Sequence, residues 1–380
     1  MAEINIARTI VTKRREKGMT QEELAEFMGV SKASVSKWET GQSFPDIALL
    51  PKLASFFNIS IDELMDFRPE MTQEEIRRFH RQTAAEFTCR PFNEVIEKCR
   101  RTAQAYYSCF PLLFQIGSLM INHSSLAGSP ERSAQILEEA AALFHRVRIE
   151  SRDASLAGQA LSVEAYCLIS LQRPDEALDL LGRSSYPYLL SEPLIASAWQ
   201  MKGQPEKAAA ELQAGIYQNI IGLMNLLSSY LGLCTQKPYA FAETYRRICG
   251  LADIFQLAGL NPGVLLSIYL GCASGFLKLN DTASALDALD RYVRCASGNI
   301  FPIRLHGDEY FDLLDEWLEN RLDLGSAPPR DANAIQYDIV SAVTENPAFQ
   351  VLNDEPRFRA LVTKLEALPK PERITEERKK

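Results

Sequence analysis

Apolar residues recur three and four positions apart along most of this chain, and no stretch alternates with the two-residue rhythm of a strand. The pattern predicts an all-α protein. Near the start it predicts a helix from Ile6 to Lys17, with Ile6, Ile10 and Val11 on its apolar side and Gly18 ending it. Thr20 with Glu23 three residues on reads as a capping box, which satisfies two orphan amides at a helix start. Leu24, Ala25 and either Phe27 or Met28 turn inward, Gly29 closes the helix, and Val30 fills the corner. Ser31 caps the next helix, Lys32 to Thr40. Ser43, with Pro45 in the first turn, opens a fourth whose apolar face is Ile47, Leu50, Leu53, Ala54 and Phe57. Ser60 with Glu63 is a second capping box, starting a short fifth helix around Leu64.

The third of these helices carries the chemistry. At about 100° per residue, Val35 and Trp38 share one side, and Ala33, Ser36 and Lys37 lie opposite, flanked by Lys32 and Ser34. Lys32 and Lys37 suit guanine O6 and N7 or phosphate, Ser34 and Ser36 donate or accept, and Ala33 permits close approach or contact with a thymine methyl. Gln21 stands in the first turn of the preceding helix, where the N-terminus favours phosphate. The bland readings keep their weight: Thr20, Ser31, Ser43 and Ser60 are structural caps first, Trp38 and Phe57 are core, and Glu22, Glu23 and Glu26 form a solvated acidic face.

The run TQEELAE-x-x-GVS-x-x-x-VS-x-WE-x-G, followed by P-x-x-x-LL-x-x-LA and S-x-DEL, resembles the Cro/Xre-type helix-turn-helix domain of phage repressors and bacterial regulators, a five-helix lambda-repressor-like fold. The resemblance covers residues 6–67. It implies that Ser31, Lys32, Ala33, Ser34, Ser36 and Lys37 are groove-facing, that Gln21 meets phosphate, and that Arg14 pairs with Glu39 to tie the first helix to the recognition helix. The domain is expected over residues 1–68.

Arg68 to Thr72 breaks the pattern, and residues 69–90 read as a polar connector helix with a solvated Arg77, Arg78, His80 and Arg81 patch. From 91 to 368 a phrase returns: a helix rich in Ala and Leu, a short turn, then a helix opening with Glu and Ala. Residues 165–182, 195–212 and 271–289 show it best, and 126–144 and 235–248 are weaker copies. Pro205 and Ala208 stand 31 positions after Pro174 and Ala177, near the period of about 34 of tetratricopeptide repeats. The body therefore resembles a tetratricopeptide-like α-solenoid. Two uncharged runs, 212–236 and 254–277, are expected to line its concave surface or form a dimer seam, with Gln218, Asn219 and Asn225 as their polar members. Two last helices near 331–344 and 354–367 are expected to cap it, and residues 369–380 read as a disordered charged tail.

Composition changes the picture in one respect. The 380 residues carry 41 Lys and Arg against 49 Asp and Glu, a net charge of −8. Residues 1–70 hold 9 basic and 11 acidic side chains, so even the head is slightly acidic. Any contact with nucleic acid must come from one local face. The uncharged runs are interrupted by Gln, Asn, Ser and Pro, so no membrane span is expected. The start lacks a signal peptide's apolar core, and the eight cysteines form no CxxC, which favours reduced thiols in the cytoplasm. The four histidines lack metal-ligand spacing, and no G-x-S-x-G, P-loop or nucleotide-binding turn is found, so no cofactor, metal or enzyme activity is expected.

The leading expectation is a bacterial transcriptional regulator that binds double-stranded DNA as a homodimer through a helix spanning 31–40. A head joined to such a body resembles the peptide-pheromone-responsive regulators of Gram-positive bacteria, which implies a short peptide as effector, with a protein partner as the alternative. The competing reading is a tetratricopeptide-like interaction scaffold whose head is structural or binds DNA weakly.

Overall fold

The computed structural model describes residues 5–66, 70–182, 190–298, 300–301 and 303–368. The expected tail at 369–380 and part of the break before Thr72 lie outside the described residues. Helices and short 3-10 turns are the regular elements among the described residues. The chain divides into two compact units, one of residues 1–80 and 90–182, the other of residues 81–89 and 183–380.

In the first unit the head comprises α1 (Ile6–Glu16), α2 (Gln21–Met28), α3 (Lys32–Glu39), α4 (Leu50–Phe57) and α5 (Ile61–Met65). Both capping boxes form, Thr20 with Glu23 and Ser60 with Glu63. Ile10, Leu24, Val35, Leu53 and Leu64, each 0% exposed, meet in one core with Ile6, Trp38 and Phe57. The fourth helix departs from expectation. A 3-10 turn, Ile47–Leu49, precedes it, and the cap is Asp46, whose carboxylate accepts from the Ala48 amide at 2.9 Å. Ser43 is unavailable as a start because the amides of Gln42 and Ser43 still close α3 by donating to the Lys37 carbonyl. Ile47 is consequently 81% exposed rather than on the apolar face.

α6 (Gln73–Cys89) is capped by Thr72 and straddles the two units. It is less solvated than its polarity suggests: Ile76, His80, Thr83, Ala84 and Phe87 are buried, which removes His80 from the expected basic patch. The first unit continues through α7 (Phe92–Ala105), α8 (Phe110–His123), α9 (Pro130–Glu150), α10 (Ala154–Ser170) and α11 (Pro174–Leu181), packed each on the next.

The second unit holds α12 (Glu192–Met201), α13 (Pro205–Leu233), α14 (Pro238–Ile254), α15 (Leu257–Leu260), α16 (Pro262–Lys278), α17 (Thr282–Ala296), α18 (Leu314–Arg321), α19 (Ala332–Thr344) and α20 (Pro356–Glu366). α18 falls where the sequence pattern predicts no helix. The run 254–277 is largely core: it supplies α16, whose Leu265, Ile268, Tyr269, Cys272 and Phe276 are buried, while Phe255 at its start borders a groove along α13.

The recurrent phrase is a physical repeat. The α10–α11, α12–α13 and α16–α17 hairpins turn through three residues whose middle member is left-handed: Gln172 (φ 59°), Gly203 (φ 69°) and Asn280 (φ 57°). The third amide of each turn reaches back five residues, Arg173 to Leu168, Gln204 to Trp199 and Asp281 to Phe276, at 2.9–3.0 Å. Eight residues before that amide stands a buried alanine (Ala165, Ala196, Ala273), and four after it another (Ala177, Ala208, Ala285), all 3% exposed or less. The paired alanines let two helices joined by so short a turn approach. α16 is also held close to α14, since a Cβ at Gly275 would stand 2.2 Å from the Phe241 ring. Gly275→Ala is therefore expected to cost about 1–3 kcal/mol by overpacking, read as a lower urea midpoint, whereas Gly271→Ala, with open space around its Cβ position, leaves the midpoint unchanged or raised.

Candidate nucleic-acid interface

Two short helices and a corner position the candidate site. The Thr20 hydroxyl accepts from the Glu23 amide at 3.2 Å, and the Glu23 carboxylate accepts from the Thr20 amide at 2.7 Å. That backbone bond, with one from the Thr20 hydroxyl, holds Glu23 below the usual carboxylate range. Gly29 turns left-handed (φ 74°), and the Val30 amide reaches back to the Ala25 carbonyl at 3.0 Å. The Ser31 hydroxyl then caps α3, accepting from the Ser34 amide at 3.1 Å and pairing with the Ser34 hydroxyl at 2.9 Å. Ala25, 2% exposed, keeps α2 and α3 close.

α3 is anchored from behind by Val35 and Trp38, 0% and 4% exposed. Lys32, Ala33 and Lys37 are exposed, and Ser34 and Ser36 are half-buried beside them. The Thr40 hydroxyl donates to the Ser36 carbonyl at 2.9 Å, and Gly41 (φ 73°) ends the helix. Lys32 is not idle: its ammonium donates to Glu22 at 3.0 Å. Both side chains are largely exposed, so that pair is worth about 0–1 kcal/mol and yields readily to a phosphate.

Behind the exposed face lies a three-residue cluster. Arg14 Nε and Nη2 donate to the two oxygens of Glu39 at 2.5 and 2.9 Å, and Arg14 Nη1 donates to the Met19 carbonyl at 2.6 Å. Gln21 Nε2 donates to Glu39 Oε2 at 2.8 Å. The Arg14 and Glu39 side chains are 12% and 6% exposed. Burial alone would push the Glu39 carboxyl up, but the hydrogen bonds from Arg14 and Gln21 and the charges of Arg14 and Arg15 outweigh it, and the net direction is down. A carboxylate on α3 is thereby neutralised and turned from solvent. Gln21 stands in the first turn of α2. Its carboxamide is bonded to Glu39, and its main chain opens α2.

Sequence reasoning missed one exposed feature of the head. The Phe27 and Phe56 rings meet at 4.2 Å between centroids, tilted by 39°, with Lys52 over Phe27 at 5.5 Å and Lys17 over Phe56 at 5.2 Å. Phe27 is half exposed, so the inward residue of the Phe27–Met28 pair is Met28. The two rings lie on separate helices, and no local spacing announces them. Among the described residues no group of His, Cys, Asp and Glu could hold a metal ion, and no helix is long and apolar enough to cross a membrane.

With this geometry in view, the comparisons with known proteins fall on the same residues. Residues 10–64 match the helix-turn-helix family model. The HTH-type transcriptional activator BcrR of Enterococcus faecalis is 44% identical over 52 residues, 14% of this chain and 26% of BcrR. An HTH-type transcriptional regulator of Archaeoglobus fulgidus is 41% identical over 64 residues, 17% of this chain and 91% of that protein. The chain thus spans about a quarter of BcrR but nearly all of the archaeal relative. Among solved structures, Bacillus thuringiensis PlcR in complex with the peptide PapR7 and DNA is similar over 77% of this chain and 94% of its own, at 14% identity and a TM-score of 0.31.

The Arg14–Glu39–Gln21 cluster makes a prediction about acid. A carboxyl whose folded pKa lies below its unfolded value stabilises the fold above the unfolded value, near 4.5, and that contribution is lost as pH falls through the folded value. Glu39→Gln is expected to flatten the loss of stability below pH 4.5. Glu39→Ala strands a mostly buried guanidinium and is expected to cost about 3 kcal/mol at neutral pH. Urea unfolding followed by Trp38 fluorescence, with Trp199 and Trp317 replaced by Phe, reads both.

Proposed function

Since the chain belongs, through its N-terminal domain, to the helix-turn-helix family of transcriptional regulators, we propose that it is a sequence-specific DNA-binding regulator that sets α3 in the major groove. The observation that carries this reading is the exposed Ala33 and Lys37 face of α3, with Lys32, Ser34 and Ser36 beside it, held from behind by Val35, Trp38 and the Arg14–Glu39 fork. Lys37 and Ser36 read base edges, Ala33 admits close approach, and Lys32 exchanges Glu22 for a phosphate. Ser31 and the start of α2 at Gln21 offer helix N-termini to the backbone. The head works as half of a two-fold pair, because one such helix covers one half-site.

The helical hairpins that follow form the sensing and pairing part of the regulator. Their effector is a short peptide or a protein partner; the resemblance to peptide-responsive regulators favours the peptide. Residues 1–68 act as the DNA-binding domain, 69–90 as the connector and 91–368 as the body.

Lys37→Ala is expected to weaken binding to a selected DNA site by about 1–3 kcal/mol with little effect on random DNA, as for a lost base contact. Ser36→Glu, which places a charge against the duplex, is expected to abolish specific binding. Gel-shift titration on a site recovered from a random-sequence pool measures both. Unchanged affinity in both variants would favour the scaffold reading, in which the head is structural. The peptide reading predicts a raised melting midpoint of the full chain with a cognate peptide. A screen in which only protein partners shift the midpoint overturns it.

A further inference from the structure

α13 is apolar on two faces, and among the described residues one of them is buried in the core while the other is largely open. Tyr217, Ile220, Met224 and Leu231 are buried in the core of the second unit. One residue earlier in each case, about 100° round the helix, runs a second row: Leu212, Ile216, Asn219 and Leu223, then Leu226, Tyr230 and Leu233. The intervals are four, three, four, three, four and three, the spacing of a helix–helix seam sustained over about three heptads and roughly 33 Å. No Asp, Glu, Lys or Arg occurs between Glu211 and Lys237. Surface helices normally carry charge on the face that the chain leaves open.

The two halves of this row differ. Leu212, Ile216 and Leu223 are 36–42% exposed and line an apolar groove of about 330 Å³ together with Leu190, Pro193, Leu251 and Phe255. Leu226, Tyr230 and Leu233 stand proud, at 70%, 52% and 80% exposed.

We propose that this row is an antiparallel, two-fold seam with α13 of a second copy of the chain. The inference deepens the regulator reading above and rests on it for the demand for a two-fold pair; the choice of surface and direction comes from α13 itself. Antiparallel pairing about Leu223 sets Leu233 against Leu212, Tyr230 against Ile216 and Leu226 against Asn219. The proud half of each copy then enters the grooved half of the other. Parallel pairing would set proud against proud and leave both grooves empty. Charge agrees: the run is bracketed by Glu211 at one end and Lys237 at the other, so antiparallel copies bring opposite charges together and parallel copies bring like charges together. Asn219 already donates to the Gly215 carbonyl at 2.8 Å, so its amide does not require a partner across the seam. The six apolar side chains expose on the order of 600 Å² per copy, and a pair would bury about 1,200 Å², within the range of specific interfaces. A two-fold interface uses the same patch on both subunits, and this patch is complementary to itself.

Sedimentation of the full-length protein tests the surface. The wild type is expected at twice the chain mass of 42.6 kDa, and Leu226→Glu/Leu233→Glu at 42.6 kDa with an unchanged circular dichroism spectrum. Ile169→Glu, which removes an exposed apolar residue far from the row in sequence, is expected to leave the dimer intact. Oxidative cross-linking tests direction. Leu223→Cys is expected to link to itself well above the wild-type background. Leu233→Cys is expected to link to Leu212→Cys in a mixture and not to itself. A monomeric wild type, a dimer indifferent to the double Glu variant, or self-linking of Leu233→Cys each overturns the proposal. The DNA reading is judged separately: a monomer that still shifts DNA and loses that shift with Lys37→Ala keeps the head's role and removes the seam, whereas an intact seam with no effect of Lys37→Ala does the reverse.

Discussion

The head depends on holding a helix of eight residues, Lys32–Glu39, still enough to present one face. So short a helix is marginal alone. Val35 and Trp38 supply apolar anchorage, but they leave Glu39 as an anion on the very element that is proposed to meet a polyanion. The Arg14 fork resolves this by matching the carboxylate with two donors, and Gln21 supplies a third. One cluster therefore neutralises the charge, fixes the angle between α1 and α3, and joins the start of α2 to the end of α3. The exposed Lys37 is free of such ties, and the proposed reading of DNA needs it to be.

The parts of this structure that were legible in the sequence are those written in short intervals. Capping boxes such as Thr20–Glu23 and Ser60–Glu63 join a side chain to a backbone group three residues away, and both formed as spaced. The hairpin alanines were legible for the same reason, because a three-residue turn fixes which positions must be small. The orientation of α3 followed from two large residues, Val35 and Trp38, with no competing apolar residue on the other side.

The misreadings share a different origin. Ser43 looks as good a cap as Ser31, but the amides of residues 42 and 43 are held by the carbonyl of Lys37, so the next helix starts only after Pro45 and is capped by Asp46. Ile47 is consequently exposed despite its apolarity. Of the two inward candidates Met28 enters the core while Phe27 meets Phe56, and the Gln21 carboxamide bonds Glu39. α6 reads as polar and yet buries His80 and Thr83. In each case a residue distant in sequence, or a competing hydrogen bond, decided the outcome, and neither leaves a trace in local periodicity.

The length of α13 follows the same logic in reverse. The repeat specifies where its hairpin with α12 begins, through Ala196, Gly203 and Ala208, but nothing in the repeat specifies where α13 ends. α12 has 10 residues and α13 has 29, so the hairpin partner covers only the first part of the longer helix. α14 and α16 also pack on α13, and α18 packs near its start, where Gln213 bonds the Leu313 amide. An apolar helix that outruns its hairpin must expose its second face or share it. The sequence from 212 to 236 carries no charge that would make exposure comfortable. Stability of a single copy does not call for Leu226, Tyr230 and Leu233 at three- and four-residue intervals on an open face. In the proposed seam that spacing is a requirement of what lies across from them.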